Sequence, residues 1–274
     1  MTIFGFSSKI IGLMSLTPEF RRMPQVINLF YESGLMFEYF KGCLFERYNQ
    51  PRDLTADAWR IINSRKNMEI HGHENLNLPG GGLAIINHPK IDILIPALFL
   101  LAYELKTVHE KDIVFTMGEA AYAGRLIPAV TKLTGRFMDF YPRNIIPIPT
   151  AKRERDYQER RAIARERIIQ ELLNSNIVVL SPEARVEEGG VILPTQTYRF
   201  GAGGLAKEAT KISIPQIPVA IWEADREVKI SLGKSFYIDD GLNDCDASIV
   251  LMRHVAECLP RNLRGPFESD INQS

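Results

Sequence analysis

The segment Leu83-Ala84-Ile85-Ile86-Asn87-His88-Pro89-Lys90-Ile91-Asp92 ends an apolar run in polar residues and then leads into a longer apolar stretch. Pro89 suits the first position of a helix, which predicts His88 at or beside the N-cap. Asp92, four residues after His88, then falls on the same helix face. A carboxylate beside an imidazole sets its tautomer and stabilises the imidazolium, which makes the histidine a better general base. The unpaired N–H groups of a first helical turn suit a developing oxyanion. A capping histidine and an aspartate answering the helix dipole explain the same residues, and both readings stand at this point.

A second segment has the same form. Val178-Val179-Leu180-Ser181-Pro182-Glu183-Ala184-Arg185 again closes an apolar run with polar residues, and Glu187, Glu188, Gly189 and Gly190 follow. Two strand ends that deliver His/Asp and Glu/Arg to one edge are how open α/β sheets assemble sites.

With both segments in view, the chain resembles the glycerolipid acyltransferase superfamily, which includes glycerol-3-phosphate and lysophosphatidate acyltransferases. Asn87-His88 and Asp92 look like its first block, here as HxxxD with three intervening residues where the family has four. Gly135-Arg136-Phe137-Met138 with Arg143 is similar to the second block. Pro182-Glu183-Ala184-Arg185 resembles the third, one residue shorter than usual, and Ile214-Pro215-Gln216-Ile217-Pro218-Val219 resembles the fourth. Phe200-Gly201-Ala202-Gly203-Gly204 looks like the glycine segment that precedes a helix in that family. The resemblance spans residues 68–235, with the blocks in family order.

The resemblance implies direct transfer of an acyl group from a coenzyme A or acyl-carrier-protein thioester to a hydroxyl of glycerol phosphate, a lysophospholipid or a related lipid. It implies His88 as general base, worth about 10²–10⁴-fold, with Asp92 as its orienting partner. It requires no metal, no cofactor and no nucleophilic Ser or Cys. Arg185, with Arg143 or Arg136, would hold an acceptor phosphate through charge-assisted hydrogen bonds. Glu183 would position the acceptor or the arginine, Asn87 and Gly203 complete the substrate-binding set, and Lys90 is a further anion contact. Two rivals carry over: a lipid-binding relative that has lost catalysis, and a thioesterase in which His88 activates water.

The elements that must hold these residues can be read from periodicity. Residues 1–66 read as a helical segment, with Ile10, Ile11 and Met14, then Val26, Ile27, Phe30, Leu35 and Phe37, at helical spacing. Its aromatic residues suit either a core cap or a lipid interface. From residue 67 short β-type runs alternate with helical ones, which predicts an α/β domain, a mixed sheet flanked by helices, over 67–240. Strands are predicted at Met68–His71, Leu83–Ile86, Ile113–Thr116, Ile177–Leu180, Ile217–Trp222 and Val228–Leu232. Helices are predicted near 93–103, 118–134, 153–174, 203–211 and 247–258. Residues 241–274 read as a C-terminal helix and an acidic tail that frays after Pro266.

Composition narrows the class. The 274 residues include 33 basic and 33 acidic side chains, a net charge of zero that argues against a nucleic-acid binder relying on a global positive field. Zero is nonetheless a sum of unlike regions. Residues 1–66 hold nine bases against six acids, 152–167 seven against four, and 239–274 three against seven. The middle run reads first as a solvated amphipathic helix, and its excess charge also suits anionic lipid or an acidic carrier protein. Cys43, Cys245 and Cys258 form no CxxC pair, which favours a reducing compartment. With no signal-peptide pattern and no spanning apolar run, the expected location is cytoplasmic, peripheral on the inner face of a membrane. Gly201-Ala202-Gly203-Gly204-Leu205-Ala206 matches GxGxxA, but the polar run before it makes a poor buried strand, so a nicotinamide site is set aside. His71-Gly72-His73 lacks further ligands at metal spacing and reads as a strand end.

Overall fold

Both faces of β2 (Gly82–Ile86) are apolar, and all five of its residues are buried. Leu83 and Ile85 join one core, while Ala84 and Ile86 join the other. A strand covered on both faces reads as a continuous apolar run, and this one does. The computed structural model describes residues 52–64, 67–118, 141–149, 155–183, 190–198 and 201–271. The predicted helices within 1–51 lie outside the described residues, as does the one over 118–134 apart from Gly118.

The sheet also contains β1 (Met68–His71), β3 (Ile113–Gly118), β4 (Ile145–Ile148), β5 (Ile177–Leu180), β6 (Gln216–Ala224) and β7 (Glu227–Leu232), in the spatial order β1-β7-β6-β2-β5-β3-β4. Five neighbouring pairs are parallel and only β6–β7 is antiparallel, so the sheet is mixed, as predicted. The six predicted strands are present, and β4 is the addition. Its Pro147 argues against a strand on sequence grounds, but β4 lies at the sheet edge, where a residue without an N–H is tolerated.

Helices α1 (Leu54–Ser64) and α2 (Ile91–Val108) cover one face. Helices α3 (Tyr157–Leu173), α4 (Gly201–Lys211) and α5 (Asp244–Glu257) cover the other. The chain leaves β2 through α2 to reach β3 on one side. It leaves β5 through α4 to reach β6 on the opposite side. Two crossovers of the same hand that step in opposite directions place their helices on opposite faces. The reversal falls at β2 and β5. α5 contributes Ala247, Leu251, Met252 and Val255 to the second core, joined by Phe267. The tail expected to fray after Pro266 is therefore packed at Phe267 and forms α6 (Glu268–Ile271). No helix among the described residues is long and apolar enough to cross a membrane.

The β6–β7 hairpin turns on Asp225 and Arg226, which both adopt positive φ, 53° and 66°. A two-residue loop of this form suits Asn-Gly, and a bulky side chain at positive φ is strained. Replacing Asp225-Arg226 by Asn-Gly is expected to raise unfolding free energy by about 0.5–1 kcal/mol, read from denaturant melts; an unchanged or lower midpoint contradicts this account of the turn.

Candidate active site

His88 lies between β2 and α2, outside both elements. The residue before a proline is biased away from helical angles, which holds His88 out of the helix. Lys90 is the N-cap, with φ −49° and ψ 147°, and the helix begins at Ile91. This corrects the expectation that Pro89 opens the helix with His88 at its cap. It also removes the shared helix face of His88 and Asp92, since only Asp92 is helical. Asp92 sits partly buried in the first turn of α2, where its charge complements the helix dipole. His88 Nδ1 is buried with no hydrogen-bond partner among the described residues, so it makes no bond to Asp92 in this structure.

The parallel register brings the second segment alongside. Ile85 pairs with Leu180, and continuing that pairing along both chains sets Glu183 opposite His88. The Glu183 side chain is 5% exposed. Its Oε2 accepts the His88 amide at 2.7 Å and its Oε1 accepts the Leu193 amide at 2.7 Å. One carboxylate thus ties together the turn after β2 and the segment that returns after residue 189.

Asn87 makes the matching tie on the other side. It is 1% exposed. Its Nδ2 donates to Ile221 O at 2.8 Å and to Gly190 O at 3.3 Å, and its Oδ1 accepts the Ile221 amide at 2.8 Å. The side-chain amide takes the place of a backbone peptide, extending the β2–β6 ladder after the main chain of β2 has turned away. Gly190 joins at φ +78°, a conformation that favours glycine.

Burial lowers the His88 pKa from its usual value, outweighing backbone hydrogen bonding that pulls it upward. The shift favours the neutral ring, the form a base must take. Two hydroxyls on the stretches either side of residues 184–189, Ser181 Oγ and Tyr198 Oη, are buried without partners among the described residues. Tyr198 bridges to Glu183 through its main chain, and burial together with the Glu183 charge raises the phenol pKa further above its usual value. The sequence assigns no site role to Ser181, Gly190, Leu193, Tyr198 or Ile221. Their link to the site is by main-chain contact or by position along the strand end, which residue type does not signal.

The remaining predicted residues fall elsewhere. Arg185 and Arg136 lie outside the described residues. Arg143 is exposed and precedes β4, at the amino-terminal edge of the sheet and three strands from β2, so the structure does not bring it to His88. Gly203 is buried in α4, where its amide donates to Ser248 Oγ at 3.0 Å and a Cβ would overlap the Asp244 carbonyl oxygen. Close helix packing accounts for that glycine. On α3 the basic run is largely engaged: Arg165 pairs with Glu208, Arg167 donates to Pro142 O at 2.6 Å, and Arg161 lies over the Tyr157 ring.

The structure is a mixed seven-stranded α/β sheet with helices on both faces, with His88 between β2 and α2 where the crossovers reverse direction. The chain is similar to the crystal structure of the 1-acyl-sn-glycerophosphate (LPA) acyltransferase, PlsC, from Thermotoga maritima, with a TM-score of 0.50 at 16% identity, covering 86% of this chain and 95% of that one. No family model matches the chain, and no curated protein matches it in sequence.

The Asn87 ties make a stability prediction. Asn87→Ala leaves the Ile221 N–H and C=O buried without their partner, each at a cost of about 1–3 kcal/mol. A loss of about 2–4 kcal/mol is expected by denaturant unfolding, and a loss well under 1 kcal/mol would show that the ladder extension is dispensable.

Proposed function

We propose that this protein is an acyltransferase that moves a fatty acyl group from an acyl thioester, of coenzyme A or a carrier protein, to a hydroxyl of glycerol phosphate or a lysophospholipid. The observation that carries this reading is the partly buried His88 held at the carboxyl ends of β2 and β5. It is supported by the fold shared with an LPA acyltransferase. His88 takes the proton of the acceptor hydroxyl as its oxygen attacks the thioester carbonyl. The C–S bond then breaks, and the imidazolium returns the proton to the departing thiolate, so no external acid is consumed. Asp92, in the first turn of α2, is assigned to stabilise the imidazolium, with ring rotation on substrate binding. Arg185, two residues beyond Glu183, is assigned to the acceptor phosphate. A lipid acceptor places the reaction at a membrane surface, and co-sedimentation of the full chain with liposomes tests that part.

One observation favours a second reading. The unpartnered Nδ1 of His88 leaves the tautomer unset by any side chain, as in a relative that binds acyl lipid without transferring it. Incubating the full chain with an acyl thioester and a panel of glycerol phosphate and lysophospholipids separates the readings. Esterified acceptor is expected. Thioester hydrolysis alone selects a thioesterase, and acyl-lipid binding with neither product selects the inactive relative.

His88→Ala is expected to cut transfer by about 10²–10⁴-fold while the protein stays folded; transfer that survives the substitution removes His88 from the mechanism. In wild type the base is active only when neutral, and its lowered pKa keeps it neutral into mildly acidic solution. The acid limb of kcat/KM against pH is thus expected to have its midpoint below 6.5, the ordinary histidine value; a midpoint above it assigns the limb to another group.

A further inference from the structure

We infer that Glu183 is a positioning residue for His88, acting through the main chain, and not a ligand of the acceptor. The inference rests on His88 being the base. Both carboxylate oxygens are committed at short range, one to the His88 amide and one to the Leu193 amide, each at 2.7 Å. The side chain is 5% exposed, so it has little surface to offer a substrate. Hydrogen bonds from main-chain N–H to an ionised acceptor are the strong kind, about twice a neutral pair.

The geometry around it explains what the clamp achieves. His88 lies outside helix and strand, and its ring nitrogen Nδ1 has no partner among the described residues. The ring's position therefore follows its main chain. That main chain is held on one side by Glu183 and on the other by the Asn87 amide on Ile221 and Gly190. Glu183 makes the first of these ties, and the Gly190 carbonyl accepts in the second. The carboxylate thus sets the base at a fixed place relative to the segment that leaves β5 and returns at Gly190–Leu193. Positioning within an ångström is where such a tie acts on rate, since a displacement of that size in a reacting group costs about 10²-fold.

The first test needs neither a variant nor a substrate. Residue-resolved amide exchange on the full chain is expected to show His88 and Leu193 protected, although neither lies in a helix or strand. Exchange at open-loop rates at either position overturns the clamp, whether or not the protein transfers acyl groups. The second test is Glu183→Gln, whose single oxygen leaves one of the two amides without an acceptor. Exchange is expected to accelerate at His88 or Leu193 while α5 keeps its wild-type rates, and kcat to fall about 10²-fold with both KM values unchanged. A raised acceptor KM with kcat retained makes Glu183 an acceptor ligand and overturns the inference, as does a fall in kcat with both amides exchanging as before. A wild type that transfers nothing defeats the acyl-transfer reading and leaves the exchange result to decide the clamp.

Discussion

The centre of the sheet is closed to water on both faces, and this constraint decides where the protein can hold polar chemistry. β2 is wholly buried and β5 buries Ile177, Val178 and Val179. A polar side chain within those runs would need a partner in an apolar layer, at a cost of a few kcal/mol. The first places where polar groups can stand are the carboxyl ends, where the main chains turn away and leave N–H and C=O groups without ladder partners. Asn87, His88 and Glu183 occupy those positions, three residues drawn to one spot by a ladder that pairs β2 directly with β5.

Two of the three meet the demands of the backbone before those of any substrate. Asn87 supplies both halves of a peptide to Ile221, and Glu183 accepts two amides. Gln216 does the same at the other end of β6, donating to Ala206 O and Ile214 O and accepting from the Ile238 amide. Buried polar groups so fully used specify one arrangement of their surroundings. His88 is the exception, because its ring nitrogen Nδ1 is buried without a hydrogen-bond partner among the described residues. A rigid frame around one uncommitted imidazole is the arrangement that proton transfer asks of a site.

Much of the fold could be read from local pattern. The runs at Ile177–Leu180 and Leu83–Ile86 are apolar because both their faces are covered, and strands of that kind show as unbroken stretches. β4 escaped because Pro147 is tolerated only at an edge, and edge position is a property of the whole sheet. The start of α2 was misplaced because Pro89 satisfies two rules at once: it suits a first helical position and it also keeps its predecessor extended. Here the second prevails through Lys90 as well, so the helix opens at Ile91.

The site divides along the same line. The sequence by itself determined which residues lie at strand ends, and so named Asn87, His88, Asp92 and Glu183 as neighbours of an edge. It also offered His88 as a base, beside the equal reading of a capping histidine. Only the tertiary structure decided what those side chains touch. Gly203 went to a helix contact, Arg143 to the far edge of the sheet, and Glu183 to two amides on separate stretches of chain. Contacts to main chain carry no signature in residue type, since every amide is alike until the fold brings one within reach.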